Sequence, residues 1–230
     1  MAGPSDASSD GDGAAGGSTC PPIYELCDGF EAGSFAAVWA PGPNVTLDST
    51  IAHRGTTSVH VHSPAIGIGV DGYFELRQTA TLALGDPIIY VRAWVRLGSM
   101  PLNNMGLLAV EQMGTPDNED ALTLRPNDLA VYSQFSNVSM GNNTMPPLNT
   151  WFCVLWTVTR STGTTGSIVL GGDPPAIPLP SVQTDDATSP IAIMDFGVAF
   201  SGSVVKVAQP ALDLWVDDVI VNGSPLTCAD

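Results

Sequence analysis

The stretch YVRAWVRL at positions 90–97 alternates between two kinds of residue. Val91, Ala93, Val95 and Leu97 are apolar, whereas Tyr90, Arg92, Trp94 and Arg96 mix rings with guanidiniums. A period of two puts the two sets on opposite faces of a β-strand, one of them built for a core. The other face is open to two readings. Rings that stack on pyranose faces and guanidinium forks that meet hydroxyls or uronate carboxylates would make it a sugar-binding surface. The same residues also suit a Trp and Tyr packed under loops, with Arg capping the sheet.

Working outward, short β-like runs separated by turn signals cover 45–47, 58–62, 73–79, 88–97, 106–113, 121–124, 129–135, 151–159, 166–170, 191–199 and 212–221. No segment carries a convincing helical period, so the pattern predicts an all-β chain folded as a two-sheet antiparallel sandwich or jelly roll. Gly and Pro number 24 and 19, and only 13% of the 230 residues are charged, which fits short elements joined by many turns. Residues 1–19 hold no large apolar side chain beyond Met1 and read as a flexible tether of Gly, Ala, Ser and Asp. Residues 20–230 are long enough for a single domain.

The net charge of −16 repels phosphate, which excludes nucleic acid and anionic membrane as partners of choice. No apolar run is long or clean enough for membrane insertion. Four cysteines, Cys20, Cys27, Cys153 and Cys228, lie outside any zinc-like spacing and read as two disulfides of a secreted, cell-surface or periplasmic protein. The residues after Met1 lack the basic stretch and apolar core of an export leader, so such a leader is expected to have been removed ahead of Met1.

Two carboxylate positions are expensive for a sandwich. Glu31 follows the Asp-Gly-Phe turn at 28–30, and Asp217 and Asp218 interrupt the apolar run at 214–221. With seven Lys plus Arg against 23 Asp plus Glu, cationic partners are scarce. Either a hard cation such as Ca²⁺ meets these oxygens, or the aspartates face solvent from an edge strand.

His60 and His62 share a strand face without a third metal ligand nearby, and read as solvated or hydrogen-bonded rings. Glu75 and Arg77 alternate on a face as a cross-strand ion pair or a ligand contact. The acidic loop 114–120 lacks the calcium-loop register and reads as a solvated turn. Glu25, Glu31, Glu75, Glu111 and Glu119 are scattered along the chain, without the Glu-x-Asp-x-x-Glu segment of laminarinase-type hydrolases.

Several blocks in order, VTLDSTIAHRG at 45–55, YVRAWVRL at 90–97, Phe152-Cys153, WVDDV at 215–219 and Cys228, resemble a family of secreted jelly-roll proteins first noted as cellulose-induced in plant-degrading fungi. That family is structurally related to glucuronan and alginate lyases. The resemblance implies a concanavalin-like β-jelly roll with a structural Ca²⁺ held by Glu31, Arg54, Thr57 and Asp217, Arg54 acting through its carbonyl. It also implies a Cys153–Cys228 disulfide, leaving Cys20 to Cys27.

For catalysis the resemblance nominates Arg125, which would neutralise a uronate carboxylate, and Tyr132, which would act as base or acid. Thr123 stands where the family's cleft carries a His. The implied function is a secreted protein that engages polysaccharide, with β-elimination of a uronate polymer as its activity; the alternative is a non-catalytic carbohydrate-binding or surface-adhesion module.

Overall fold

The computed structural model describes residues 24–78, 88–112, 119–134, 137–141, 143–159, 163–170, 177–178 and 191–228. The expected tether, Cys20 and most of the acidic loop lie outside the described residues. Fifteen strands are present among those described: β1 (Leu26–Asp28), β2 (Trp39–Pro41), β3 (Val45–Asp48), β4 (Ser58–Ser63), β5 (Gly72–Gln78), β6 (Ile88–Leu97), β7 (Met105–Gln112), β8 (Glu119–Arg125), β9 (Asp128–Ser133), β10 (Val138–Gly141), β11 (Trp151–Thr159), β12 (Gly163–Leu170), β13 (Ile177–Pro178), β14 (Ile191–Phe200) and β15 (Leu212–Asn222).

They form two antiparallel sheets. One runs β13-β12-β11-β6-β15-β4-β3 with β1 added on β15, and the other runs β10-β9-β8-β7-β14-β5-β2. Neighbours distant in sequence, such as β6 beside β15 and β7 beside β14, make this a jelly roll rather than a meander. Among the described residues no helix is long and apolar enough to cross a membrane.

The apolar halves of the alternating strands meet between the sheets. Val91, Val95, Phe152, Val154, Trp156 and Val216 from the first sheet pack into one cluster with Leu76, Leu122, Val131, Met194, Phe196 and Phe200 from the second. The apolar face expected of 90–97 is therefore the core face. Its other face belongs to the covered alternative: Trp94 is buried and stacked on His53 at 3.6 Å, and Arg92 is buried and donates to the Thr227 carbonyl at 3.1 Å.

The disulfide implied by the resemblance is present, with Cys153 bonded to Cys228 across 75 residues beside Trp94. In the chain-entropy account a loop of that length contributes about 4.5 kcal/mol. Cys27 is also disulfide-bonded.

Candidate functional sites on the two outer faces

The Glu31 site is built locally from the turn that precedes it. The Asp28 carboxylate accepts from Phe30 N at 2.7 Å and from Trp39 Nε1 at 2.8 Å, and Phe30 adopts φ 59°. A positive φ is costly for a bulky residue, and here it drives the ring into the core against Trp39. The next residue, Glu31, is thereby turned towards the loop between β3 and β4. Its carboxylate accepts from Thr56 N and Thr57 N at 3.0 Å and from Thr56 Oγ1 at 2.8 Å. Gly55, at φ +66°, lies so close that a Cβ there would fall 2.4 Å from the Glu31 carboxyl carbon. Any side chain at 55 would displace Glu31.

Asp217 reaches the same loop from the opposite end of the chain. It sits where β15 bulges between Asp217 and Ile220, with Asp218 at φ 48°. It is fully buried, yet its partners are backbone donors: His53 N and Asp218 N at 2.8 Å, with Arg54 N as a third. Burial and the adjacent Asp218 push its carboxyl up to about 7, against the downward pull of those N–H groups. His53 Nδ1 meets the Asp218 carboxylate at 2.7 Å.

Of the nominated metal ligands, then, Glu31 and Asp217 both converge on the segment carrying Arg54 and Thr57. The chemistry of this set fits a hard cation. Each Glu31 oxygen already takes two donors from Thr56 and Thr57, so a cation would draw chiefly on Asp217, with the loop carbonyls and Thr57 hydroxyl as further oxygens. Among the described residues no group of three His, Cys, Asp or Glu forms a metal cluster, so such an ion would depend on those loop oxygens.

The second site lies on the seven-stranded sheet, on the face turned away from the core. Its register brings together residues that look scattered in the sequence. Arg77 on β5 pairs with Asp195 on β14, Asp195 with Ala109 on β7, and Glu111 on β7 with Glu119 on β8. With Glu75 and Tyr73 of β5 they line a groove of about 600 Å³. Its floor is cut by small residues. Gly106, Ala109 and Ala199 line the groove, and a Cβ at Gly106 would fall 3.1 Å from the Ala199 Cβ.

Arg77 grips Asp195 through Nε and Nη2, both at 2.9 Å, and reaches Glu111 at 3.4 Å. The cross-strand ion pair expected for this face exists, though its acid is Asp195 rather than Glu75. Glu75 is pushed up to about 8, first by burial and then by Asp195, with Arg77 opposing. Burial also raises Asp195, Glu111 and Glu119, the last further lifted by Glu111 and Asp195.

Arg125 and Tyr132 share this outward face, because Arg125 pairs with Asp128 and Tyr132 with Ala121 four residues further along β8. They are not in contact. Four residues span about 13 Å along a strand, and the Arg125 guanidinium is engaged by Asp128 in a two-pronged ion pair. Burial and Glu119 raise Tyr132. His60 and His62 belong to β4 in the other sheet, where both rings meet Asp213 Oδ1, at 2.9 and 2.8 Å. They are hydrogen-bonded histidines and do not serve Tyr132.

The groove acids went unrecognised in the sequence because each was weighed alone. The signal was there: Asp195 lies in an apolar strand just as Asp217 does.

The class that these sheets define is the concanavalin-like jelly roll. No family model and no curated protein sequence matches the chain. Among solved structures it is similar to the cellulose-induced protein Cip1, with 17% identity over 88% of this chain and 99% of that one and a TM-score of 0.65. It is also similar to the endo-β-1,4-glucuronan lyase of the fungus Trichoderma reesei, with 12% identity, 87% and 91% coverage and a TM-score of 0.58. The binding domain of botulinum neurotoxin serotype C1 shares the fold over 83% of this chain and 44% of that one, with 13% identity and a TM-score of 0.58. At such identities the likeness establishes the shared fold.

Proposed function

We propose that this is an exported polysaccharide-binding jelly roll whose ligand lies in the groove across the seven-stranded sheet. The observation that carries the reading is the groove itself: about 600 Å³, walled by Glu75, Glu111, Glu119, Asp195 and Arg77, with the half-exposed ring of Tyr73 at its side. Carboxyls and a guanidinium that converge on an open cleft supply hydrogen bonds to sugar hydroxyls, and an exposed ring supplies a stacking face. The fold likeness to Cip1 and to a glucuronan lyase supports a carbohydrate ligand. The disulfides support export.

The test is affinity electrophoresis on a panel of soluble polysaccharides, with Ala109→Trp as the variant that fills the groove. Retardation by at least one polymer, lost in Ala109→Trp at unchanged secondary structure, is the expected result. Absence of binding across the panel would refute the reading.

A uronate lyase is the second reading, favoured by the placement of Arg125 and Tyr132 on one face of β8 and β9. It requires Arg125 to leave Asp128 when substrate binds. Ultraviolet-absorbing unsaturated ends released from glucuronan, and abolished by Tyr132→Phe, would establish it. A structural Ca²⁺ between Glu31 and Asp217, with the Arg54 carbonyl and Thr57, is part of the proposal; melting with calcium and with chelator tests it.

A further inference from the structure

We infer that the groove selects uncharged glycans and rejects uronate polymers, an inference that rests on the groove being the ligand site. A polymer bearing a carboxylate on every sugar needs cations to receive it, because a desolvated anion without a partner is strongly disfavoured. Among the described residues lining the groove Arg77 is the one cation, facing Glu75, Glu111, Glu119 and Asp195. Its guanidinium is already committed on two sides, to Asp195 and to Glu111.

Arg125, further along the same face, is committed to Asp128, and Gly141 of β10 packs so closely on that pair that a side chain there would have to displace it. An incoming uronate therefore meets excess negative charge and must break an existing ion pair to gain a partner.

An uncharged hexose chain meets the opposite situation. Hydroxyls donate to the carboxylate oxygens and accept from any carboxyl that holds its proton, so neither partner loses a charge interaction. The upward displacement of Glu75 by burial and by Asp195 supplies such a carboxyl near neutral pH. The floor of Gly106, Ala109 and Ala199 lets the sugars approach the strand backbone.

The experiment uses matched pairs: β-1,3-glucan, β-1,4-glucan and β-1,4-mannan oligosaccharides, each beside its own C6-oxidised form, titrated calorimetrically into the intact chain. At low salt the uncharged member of any pair that binds is expected to bind at least about tenfold more tightly, from like-charge repulsion alone. Added salt is expected to narrow the gap. The double variant Glu111→Gln, Glu119→Gln is expected to narrow it further, by strengthening the oxidised member relative to its parent; should that variant fail to fold, the salt series decides.

Equal or tighter binding of an oxidised member, abolished by Ala109→Trp, would overturn the inference while the groove reading stands. So would an uncharged preference that neither salt nor the double variant changes. Binding that survives Ala109→Trp, or no binding to any pair, would overturn the groove reading and the inference with it.

Discussion

Asp195 and Asp217 pose the same physical problem and receive opposite solutions. Each sits in a mostly apolar strand on the outward face of its sheet, 2% and 0% exposed respectively. Asp195 is answered by a guanidinium, a long side chain that neutralises the carboxylate and leaves the cleft above it open. Asp217 is answered by backbone N–H groups of His53, Arg54 and Asp218, which fix the carboxylate in a cage without cancelling its charge. A mobile cationic partner leaves room for a ligand on the sheet face. A cage of dipoles binds a loop to a strand and keeps an attraction for a cation.

The largest effect is expected where the cage is emptied. Asp217→Ala leaves several N–H donors facing a buried void and should cost about 3 to 5 kcal/mol, read from urea unfolding midpoints. A result below about 1 kcal/mol would mean that the loop closes without the carboxylate, and the contrast with Asp195 would collapse.

Calcium comes next. At a hundredfold excess over its dissociation constant a native-state ligand adds about 2.7 kcal/mol. Melting in calcium should then exceed melting in chelator, and Glu31→Ala should erase the difference. Identical melts would leave the backbone cage as the whole of the solution at Asp217.

Asp195→Ala should cost less than Asp217→Ala, about 1 to 3 kcal/mol, because the half-exposed Arg77 can turn to Glu111 and to water. The double-mutant cycle with Arg77→Ala measures that coupling directly. A cost equal to that of Asp217→Ala would show the groove pair to be as rigid as the cage.

A further test concerns pH. Glu75 rises from 4.5 to about 8 on folding, so between those values the native state holds a proton that the unfolded chain has released. Its contribution to stability is present at acid pH and is lost as pH climbs towards 8. Melting temperature should fall over that interval, and Glu75→Gln should flatten the fall; an unchanged slope in the variant would assign it to other groups.

Much of this was legible in the residue pattern, and for definite reasons. Alternation placed Val91, Ala93, Val95 and Leu97 against the core because a period of two follows from strand geometry. The Cys153–Cys228 pair and the approach of Glu31 and Asp217 to one loop were expected only from the resemblance of several blocks, in order, to a known family.

What could not be read is which strands lie side by side. Glu75, Glu111, Glu119 and Asp195 become one groove only when β5, β14, β7 and β8 are laid edge to edge in a particular register, and local sequence carries no such record. The edge strand β10, Val-Ser-Met-Gly, was missed because its mostly exposed residues offer no buried alternation. The outward face of 90–97 suited two fates equally, since what covers Trp94 is His53, brought from another strand connection.

The Cys153–Cys228 bond also decides how the molecule would bear a load. β15 runs in the interior of its sheet between β6 and β4, and the chain leaves it after Asn222. Tension applied beyond Cys228 would pass through the sulfurs into β11, two strands away, before it could reach the end of β15. The pull would be shared between two strands of the sheet, and unzipping β15 from its carboxy-terminal end would be blocked. A protein tugged from that end by a swaying polymer or a moving surface would hold its sheet together as a clamp, for as long as the covalent link remained intact.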